Sequence, residues 1–539
     1  MDSLCLALIA LATALPYVGK LGFYSDDWYI LASFHADTLR HEFGIHSILR
    51  DFAARPVQGF YLALLYRLFG FHPFGYHLVN TAVIAAAIPL FYWLLVRLKV
   101  DRASAFAAAV IFIVLPQLST IRVWYAAFQI PLSMLAAWVS MHCQLSVARS
   151  GKLGWAAGAA LAALFSIGAY EIFAPLIAGF AVALLALQWR SPVRGPGRRT
   201  IALAVVVMLI AVSVLAKFAL SDRPPAPEIA RYTKGLIQLV RPDYDWRTDY
   251  ALNIFAAANV HFWWPVLGWA RAAEALFRGQ LDWSAPAAAI FAAFVAFWRV
   301  RGDARSRAAS VGDGQLLLVG LTAFVLGHAV FVIVPAMFFS PAGMANRALV
   351  AGAVGVALIV VAILQYVSGR IAENRRQLAY SSAVAALVML GTLRIEQIAA
   401  YWTAAPAIQQ SVVAAARADL KGLPSQSFVM LDNVCPYHGP ALIFEAPWDV
   451  SGALSLAVGK TIHGDAVSPR MSLRNDGLAT SIYGEQAFYP YAAALYVYDP
   501  ARHLLARLGD LGAARRYFRQ ASKSRTPCPR GYVGHGVLI

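Results

Sequence analysis

The sequence is poor in charge, and above all in negative charge. Only 14% of its 539 residues are charged, with 28 acidic residues against 45 basic ones, whereas 60% are hydrophobic. A soluble domain does not need so much apolar surface, and here the apolar residues form long uninterrupted runs. A bilayer core of about 30 Å takes about 20 such residues per helix. The composition therefore excludes an ordinary soluble protein and predicts an all-α polytopic membrane protein.

Cysteines are scarce as well. Four cysteines are too few for a disulfide scaffold, and no pair of them has metal-ligand spacing. Cys5 and Cys143 lie in apolar runs, where the simplest interpretation is packing. Cys435 and Cys528 lie in the polar C-terminal part, where a disulfide can form if that part is periplasmic. The sequence alone leaves this pairing open.

Other signatures of particular function classes are also missing. No Gly-rich phosphate loop follows a predicted strand, and the inner loops are too short for a nucleotide-sugar domain, so a nucleotide-sugar donor is not expected. No Arg and Lys stripe alternates with stacking aromatics, so the net charge of +17 does not indicate a nucleic-acid partner. No two-fold repeat is visible and the polar residues concentrate in loops, which disfavours the alternative of a polytopic transporter or lipid flippase.

Apolar runs that predict membrane helices occur about eleven times. Placing the amino terminus inside puts sixteen basic residues in five short inner loops, in agreement with the positive-inside rule. The long segments 23–73, 221–284, 336–346 and 396–539 then all fall outside. The predicted spans are 4–18, 74–96, 103–116, 126–147, 153–169, 172–189, 200–220, 285–298, 315–335, 347–367 and 378–395. The inner basic residues are Arg97, Lys99, Arg102, Arg149, Lys152, Arg190, Arg194, Arg198, Arg199, Arg299, Arg301, Arg305, Arg307, Arg370, Arg375 and Arg376.

Two segments refine the domain organisation. The apolar stretch from Ile254 to Trp269 is predicted to be a re-entrant or interfacial helix, because a full crossing would put the later basic loops on the wrong side. From residue 396 the composition becomes that of a soluble domain. A helix is predicted at about 407–420 and a strand at 427–431. The predicted domains are thus a membrane domain, 1–395, and a C-terminal soluble α/β domain, 396–539.

The strongest candidate site directly follows the first apolar run, in Ser25-Asp26-Asp27-Trp28. Carboxylates at such a depth must face water, protein or a polar cavity. A carboxylate within reach of a hydroxyl can act as a general base, and repulsion between two neighbouring acids raises one pKa, which suits that task. The alternative is that these residues only cap an interfacial helix.

Candidate phosphate ligands lie in the other outer segments. Arginine suits phosphate because its planar fork matches the oxygens, which indicates Arg55, Arg122 and Arg347, with His261 as a further candidate. Snorkelling to lipid headgroups is the alternative for Arg347, and an interfacial position is the alternative for Arg122. Glu171, isolated between apolar runs, is predicted to orient an acceptor or to pair with an outer arginine; a solvated turn is the alternative.

The order of several motifs resembles that of the C-type glycosyltransferases, the GT-C fold. This superfamily includes protein O-mannosyltransferases, the lipid A aminoarabinose transferase and arabinofuranosyltransferases. Tyr170 departs from the pattern, because lysine is frequent at that place in the family. The motifs are Ser25-Asp26-Asp27-Trp28, Arg55-Pro56, Phe74-Gly75-Tyr76-His77-Leu78-Val79-Asn80, Leu115-Pro116 with Val123-Trp124-Tyr125, and Gly168-Ala169-Tyr170-Glu171.

The resemblance implies an inverting membrane glycosyltransferase with a polyprenyl-phosphate sugar as donor and a hydroxyl acceptor. Asp26 would be the general base and Asp27 its partner, with Glu171, Tyr170 and Trp28 on the acceptor side. No third acidic ligand is evident, so no obligatory metal is expected, although a divalent cation stays open. The implied location is a bacterial inner membrane, with a cytoplasmic amino terminus and a periplasmic C-terminal domain. The sugar, hexose or pentose, and the acceptor, a glycan, lipid or protein, stay open, and a polysaccharide polymerase or ligase is a further alternative.

Overall fold

The computed structural model describes residues 1–189, 197–219, 246–302, 312–332, 339–482, 485–522 and Cys528. Within these ranges the chain is helical up to residue 419 and mixed α/β beyond it. The helices are α1 (Asp2–Ala12), α2 (Leu15–Val18), α3 (Asp26–Leu39), α4 (Ile45–Asp51), α5 (Pro56–Phe69), α6 (Pro73–Arg97), α7 (Arg102–Val114), α8 (Thr120–Val123), α9 (Gln129–Ser150), α10 (Leu153–Ala169), α11 (Ala174–Trp189), α12 (Arg198–Ala219), α13 (Trp246–Ala258), α14 (Trp264–Phe277), α15 (Ser284–Arg301), α16 (Asp313–Gly327), α17 (Val350–Gly369), α18 (Glu373–Asp419), α19 (Pro447–Val458) and α20 (Leu511–Ala521).

The helical part is a polytopic membrane domain, as predicted. Among the described residues, six helical segments are long and apolar enough to cross a bilayer, or seven if the pair Arg102–Val114 and Pro116–Val123, bent by 57°, is one span. Four further apolar helices are shorter, at Asp2–Val18, Leu153–Ala169, Arg199–Val214 and Asp313–Gly327. The count of eleven spans stays a prediction. The six are Pro73–Arg97, Tyr125–Ser150, Glu171–Gln188, Ser284–Arg301, Met344–Gly369 and Glu373–Asp419.

Helix α7 occupies the centre of the bundle. Asp101 starts it by accepting a hydrogen bond from the backbone N–H of Ser104 at 2.9 Å, which satisfies one of the free donors of the first turn. Every residue from Ala103 to Val114 is buried, so this helix contacts protein on all sides. A helix that is apolar all round is expected in such a position.

Polar contacts join helix ends that the predicted topology puts on one side. At one end Arg299 Nε lies 2.5 Å from Asp2 Oδ1, and Gln377 Nε2 donates to the Val300 carbonyl at 2.6 Å. We call this the basic-loop end. At the opposite, acid-loop end, Lys20 Nζ lies 2.6 Å from Asp282 Oδ2. Arg190, Arg194, Arg305 and Arg307, residues 220–245 of the predicted outer loop and residues 333–338 lie outside the described residues.

Helices α13 and α14 lie across the acid-loop end, joined by a π-helical turn at Asn259–Trp263. Tyr250 donates to the Val325 carbonyl at 2.8 Å, at the end of α16, and the Val260 carbonyl accepts from Gln117 at 3.1 Å. Farther along, Gln397 Nε2 donates to the Arg271 carbonyl at 3.3 Å. The re-entrant or interfacial position expected for Ile254 to Trp269 stays a prediction.

Helix α18 does not end where a separate soluble domain was expected to begin. It runs for 47 residues from Glu373 to Asp419, about 70 Å at 1.5 Å per residue, and contains Pro406. The separate helix predicted at 407–420 is the last part of this helix, so that prediction was wrong about where the helix starts. The predicted boundary at 396 falls inside continuous helix.

The C-terminal region is mixed α/β, as predicted. The predicted strand at Ser427–Leu431 is β1, at the middle of a four-stranded sheet of order β4-β1-β8-β9. It pairs in parallel with β4 and β8, and β8 pairs antiparallel with β9. The strands are β1 (Ser427–Leu431), β2 (Tyr437–His438), β3 (Ala441–Leu442), β4 (Ile462–Ala466), β5 (Ser472–Leu473), β6 (Gly477–Ile482), β7 (Glu485–Pro490), β8 (Leu495–Asp499) and β9 (Leu504–Arg507).

A disulfide joins Cys435 to Cys528 with their Cα atoms 5.6 Å apart. The disulfide that the sequence left open is therefore present in the structure. Cys5 and Cys143 are free and buried.

Candidate active site

Asp26 and Asp27 open helix α3, where the free N–H groups of the first turn favour negative charge. Ser25, just before them, has a φ of 50°, and its side chain makes no capping bond to the helix. It instead contacts Asp26, with Ser25 Oγ 3.3 Å from Asp26 Oδ1. The simple interpretation of Ser25 as a helix cap is therefore not what the structure shows.

Asp27 is fully buried and holds the turn together. Its Oδ2 accepts from the backbone N–H of Tyr24 and its Oδ1 from that of Ala126, both at 2.8 Å. Burial raises the pKa of Asp27 well above its usual range, although these N–H groups oppose the shift. With 0% of its surface exposed, Asp27 presents no oxygen to a substrate in this structure. Its predicted role as partner of the base stays a prediction.

Asp26 is the carboxylate of the pair that reaches the surface, because it is only half-buried. Its charge acts on two neighbours, Asp27 and Asp449 of the C-terminal region. Both neighbouring acids are fully buried. A carboxylate that is held at a helix start and partly open to solvent has the placement that a general base needs.

Tyr24 fixes the turn to helix α18 through a contact that the sequence analysis missed. Because Pro406 has no N–H, the carbonyl of Trp402 four residues earlier lacks its helical donor. The Tyr24 hydroxyl donates to that carbonyl at 2.6 Å and accepts from the N–H of Gly22 at 2.9 Å. A Cβ on Gly22 would lie 2.7 Å from Pro406 Cγ, so only glycine fits there. The sequence signal that could have indicated this contact was Pro406, a proline within a helical run.

Arg347 lies over the ring of Trp124, which holds the acid turn from the side opposite Tyr24's contact with α18. Its guanidinium carbon is 4.6 Å from the centroid of Trp124, a cation–π distance. Trp124 Nε1 in turn donates to the Tyr24 carbonyl at 3.0 Å. Arg347 Nη1 is buried and has no hydrogen-bond partner among the described residues. A guanidinium with unused donors therefore lies next to the turn that carries Asp26.

The segment before Arg347 is anchored by its neighbour. Asn346 is fully buried and donates to Ser119 Oγ at 2.7 Å and to the Pro116 carbonyl at 3.3 Å. The bend at 115–124 and the segment at 343–349 thus support each other. This is why two stretches more than 200 residues apart meet at the acid turn.

Arg55, Glu171 and Tyr170 form a second cationic group. Arg55 Nη2 lies 2.7 Å from Glu171 Oε1 and Nε lies 3.2 Å from Oε2, in a two-point pair. Both side chains are 11% exposed. The guanidinium also stacks over the Tyr170 ring at 4.5 Å. The predicted pairing of Glu171 with an outer arginine is therefore present, and Arg55 has its charge already balanced.

Arg122 and His261 are more deeply placed than the sequence indicated. Arg122 is 4% exposed and donates to Thr13 Oγ1 at 3.2 Å and to the Ile113 carbonyl, so the interfacial alternative does not describe it. His261 is buried with its ring 5.4 Å from that of His328. Their predicted roles in phosphate binding stay predictions.

The C-terminal region packs onto the helix that carries the acid pair. A Cβ on Gly452 of α19 would lie 2.5 Å from the Trp28 carbonyl oxygen, so the two helices touch through backbone. Trp28 also packs at 6.2 Å against Phe444, and its Nε1 has no hydrogen-bond partner among the described residues. Helix α19 is therefore part of the wall around Asp26. No feature of the sequence indicated that α19 lies beside Asp26.

A group of three or more His, Cys, Asp or Glu side chains arranged to hold a metal ion is absent from the described residues. Asp449, whose carboxyl group interacts electrostatically with Asp26, accepts from the backbone N–H groups of Glu445 and Ala446, each at 3.0 Å. The expectation that no metal is obligatory stays a prediction.

No protein-family model matches the sequence, and no curated protein is significantly similar to it. The solved structures that are similar in fold over 86% of the chain include the following two. One is the archaeal oligosaccharyltransferase AglB from Archaeoglobus fulgidus, in complex with an inhibitory peptide and a dolichol-phosphate, at a TM-score of 0.43 and 12% identity. The other is ArnT from Cupriavidus metallidurans bound to undecaprenyl phosphate, at a TM-score of 0.42 and 14% identity.

Both are GT-C enzymes, the superfamily that the sequence resembles. The chain spans 64% of the length of AglB and 85% of that of ArnT.

Proposed function

We propose that this protein is a membrane glycosyltransferase that moves a sugar from a polyprenyl-phosphate donor to an acceptor hydroxyl. The observation that carries the proposal is the position of Arg347. Its unused Nη1 donors lie over Trp124, and Trp124 holds the turn from which Asp26 projects. A cation with free donors and an accessible carboxylate thus lie at the same end of a membrane bundle. Phosphate departure and hydroxyl deprotonation require these two groups.

In the proposed reaction Asp26 accepts the proton of the acceptor hydroxyl as the oxygen attacks the anomeric carbon. The bond from that carbon to the phosphate oxygen breaks, and both its electrons leave with the polyprenyl phosphate. Arg347 binds the departing phosphate through charge-assisted hydrogen bonds, which are the strong ones. One direct displacement inverts the anomeric carbon. Arg55 is paired with Glu171, which limits its availability as a direct phosphate ligand.

The disulfide supports an outward orientation of the site. Disulfides persist in oxidising compartments such as the bacterial periplasm. Cys435 lies in the region that packs onto α3, so the acid-loop end and the disulfide share one side of the membrane. This placement supports the proposed periplasmic active site in a bacterial inner membrane, with a cytoplasmic amino terminus.

The phosphate assignment is tested by binding undecaprenyl phosphate to purified protein. Charge-assisted hydrogen bonds contribute about 1.5–3 kcal/mol, so Arg347→Gln should weaken binding by about 10- to 150-fold. The affinity of Arg347→Lys should lie between those of wild type and Arg347→Gln, because lysine keeps the positive charge but lacks the planar fork of the guanidinium group. Arg67→Gln is the matched control, since Arg67 also lies over an aromatic ring, that of Phe43 at 5.7 Å, away from the acid turn.

Sugar transfer itself is measured by the release of undecaprenyl phosphate. Undecaprenyl-phosphate-linked mannose, aminoarabinose and arabinofuranose are incubated with the protein and a membrane extract that supplies acceptors. Release that depends on the protein supports a transferase. Unchanged binding in Arg347→Gln would contradict the phosphate assignment. Translocation of the intact lipid without release would indicate a flippase instead.

A further inference from the structure

Two arginines, Arg271 and Arg394, lie close together where helices α14 and α18 pack against each other. Arg394 of α18 is 4% exposed, and a Cβ on Gly268 of α14 would lie 2.8 Å from its Nε, so its guanidinium group packs directly on the helix backbone. Arg271 follows Gly268 by about one turn on the same face of α14. Gln397 connects the two arginines, because it accepts from Arg394 Nη1 and donates to the Arg271 carbonyl at 3.3 Å. We call Arg271 and Arg394 the arginine pair.

The positive charge of the arginine pair has no counter-charge among the described residues. The two guanidinium groups repel each other, and no ion pair joins either of them to a described carboxylate. Glu274, the acid of α14, pairs instead with Arg278 at 2.6 Å. Glu396, on the same helix as Arg394, is attracted by Arg122. Since arginine stays protonated in proteins and an unpaired buried charge is strongly unfavourable, the pair favours an anion from outside the chain.

Arg271 is the member of the pair that an external anion can reach. It is half-buried, whereas Arg394 is almost fully enclosed. The protein also leaves Arg271 Nη1 without an acceptor among the described residues. An anion would therefore bond to the exposed part of Arg271, while Arg394 adds positive charge from an enclosed place, where Coulomb interactions are stronger than in water.

The arginine pair lies at the depth of lipid headgroups. Gln377 of α18 contacts the Val300 carbonyl at the basic-loop end, and Arg394 lies about 26 Å farther along the helix at 1.5 Å per residue. A bilayer core is about 30 Å thick, so Arg394 is close to its opposite boundary. Trp263, just before α14, and Trp283, just before α15, are 61% and 83% exposed, as is typical of side chains at a membrane interface. The anions available at this depth are the phosphate groups of lipids.

We propose that the arginine pair binds the phosphate group of an anionic phospholipid in the outer leaflet. The planar fork of arginine suits phosphate oxygens. A headgroup with net negative charge compensates the pair, whereas a zwitterionic headgroup brings its own ammonium group into a place that is already positive. Because the lipid binds where α14 meets α18, it stabilises the packing of these two helices. None of the residues assigned to sugar transfer takes part, so this site stands whether or not the transferase proposal holds.

The proposal is tested by native mass spectrometry of the full chain, titrated with phosphatidylglycerol or with phosphatidylcholine of the same acyl chains. Wild type should bind phosphatidylglycerol more tightly. Arg271→Gln removes a charge-assisted hydrogen bond and should weaken phosphatidylglycerol binding by about tenfold or more, with phosphatidylcholine binding unchanged. Arg278→Gln is the matched control, because Arg278 directly follows the same helix but its charge is balanced by Glu274. This control should keep the wild-type affinity.

A second measurement separates lipid binding from a purely structural role of Arg394. The unfolding temperature of the full chain is compared in phosphatidylcholine nanodiscs with and without phosphatidylglycerol. Wild type should unfold at a higher temperature when phosphatidylglycerol is present. Arg394→Met removes the buried charge with little change in size and should lose this increase, so that its unfolding temperature is the same in both kinds of nanodisc.

Four results would overturn the proposal. The first two are an equal affinity of wild type for the two lipids and an equal thermal increase in wild type and Arg394→Met. The third is an increase of the same size when inorganic phosphate is added to phosphatidylcholine nanodiscs, which would indicate a site for free anions. The fourth is a loss of undecaprenyl-phosphate binding in Arg271→Gln, which would assign the pair to the sugar donor. Undecaprenyl-phosphate binding that fails only in Arg347→Gln would leave the two sites distinct.

Discussion

The two neighbouring acids should respond differently to the same substitution. Asp26→Asn removes a partly exposed carboxylate that contacts Ser25, whereas Asp27→Asn alters a fully buried one that accepts two backbone N–H groups. A general base typically contributes about 10²- to 10⁴-fold to the rate, so Asp26→Asn should lower turnover by that factor. Its unfolding free energy should stay within about 0.5 kcal/mol of wild type, as for surface substitutions.

Asp27→Asn should instead destabilise the protein. Both oxygens of the Asp27 carboxyl group accept, whereas asparagine offers one acceptor oxygen, so one buried N–H, from Tyr24 or Ala126, faces an amide group that cannot accept. An unsatisfied buried donor costs about 1–3 kcal/mol. The unfolding temperature of the purified protein in nanodiscs measures this loss, and the release of undecaprenyl phosphate measures turnover in the same preparations.

The effect of Asp27→Asn should also depend on pH. Burial raises the pKa of Asp27 above its ordinary value of 3.8. The stability that such a group contributes is fully present below the unfolded pKa and is lost as pH rises through the folded pKa. The difference in unfolding temperature between wild type and Asp27→Asn should therefore narrow as pH rises.

Three results would refute this reasoning. Turnover by Asp26→Asn at wild-type level would exclude Asp26 as the base. Loss of turnover in Asp27→Asn with unchanged stability would show that Asp27 acts in the chemistry rather than in holding the turn. A stability difference that widens as pH rises would contradict the raised pKa of Asp27.

Further outcomes follow from the other contacts at the acid turn. Tyr24→Phe should cost about 1–3 kcal/mol in unfolding free energy, because the Trp402 carbonyl loses its donor. The free-energy cost of Tyr24→Phe should be smaller in a Pro406→Ala background, because residue 406 then has an N–H for the Trp402 carbonyl. A double-mutant cycle measures the difference between the two costs. Equal costs in both backgrounds would refute the explanation. Arg55→Ala should destabilise by about 3–5 kcal/mol because it leaves Glu171 buried without its partner, whereas the double change to methionine at 55 and 171 should recover most of that loss. Chemical unfolding of the single and double variants checks this, and an additive loss in the double variant would count against it.

Much of the architecture could be predicted from the sequence because its causes are local. Long apolar runs must be helical in a bilayer, since no water is present to hydrogen-bond a free backbone. Basic residues between the runs predict which helix ends meet, and the structure joins Asp2 to Arg299 at one end as expected. The acid pair was also visible, because two carboxylates beside an apolar run are costly wherever they lie.

The roles within the site depend on contacts between distant parts of the chain, which only the tertiary structure decides. Asp26 and Asp27 are identical in type and adjacent in sequence, yet Asp27 is fully buried and accepts from the N–H of Ala126, about 100 residues away, whereas Asp26 is only half-buried. The charge of Arg55 is balanced by Glu171, whereas Arg347 keeps unused donors over Trp124. Local sequence determines which groups can carry charge in a membrane protein. Packing determines which of those charges are already satisfied, and hence which remain available to a substrate.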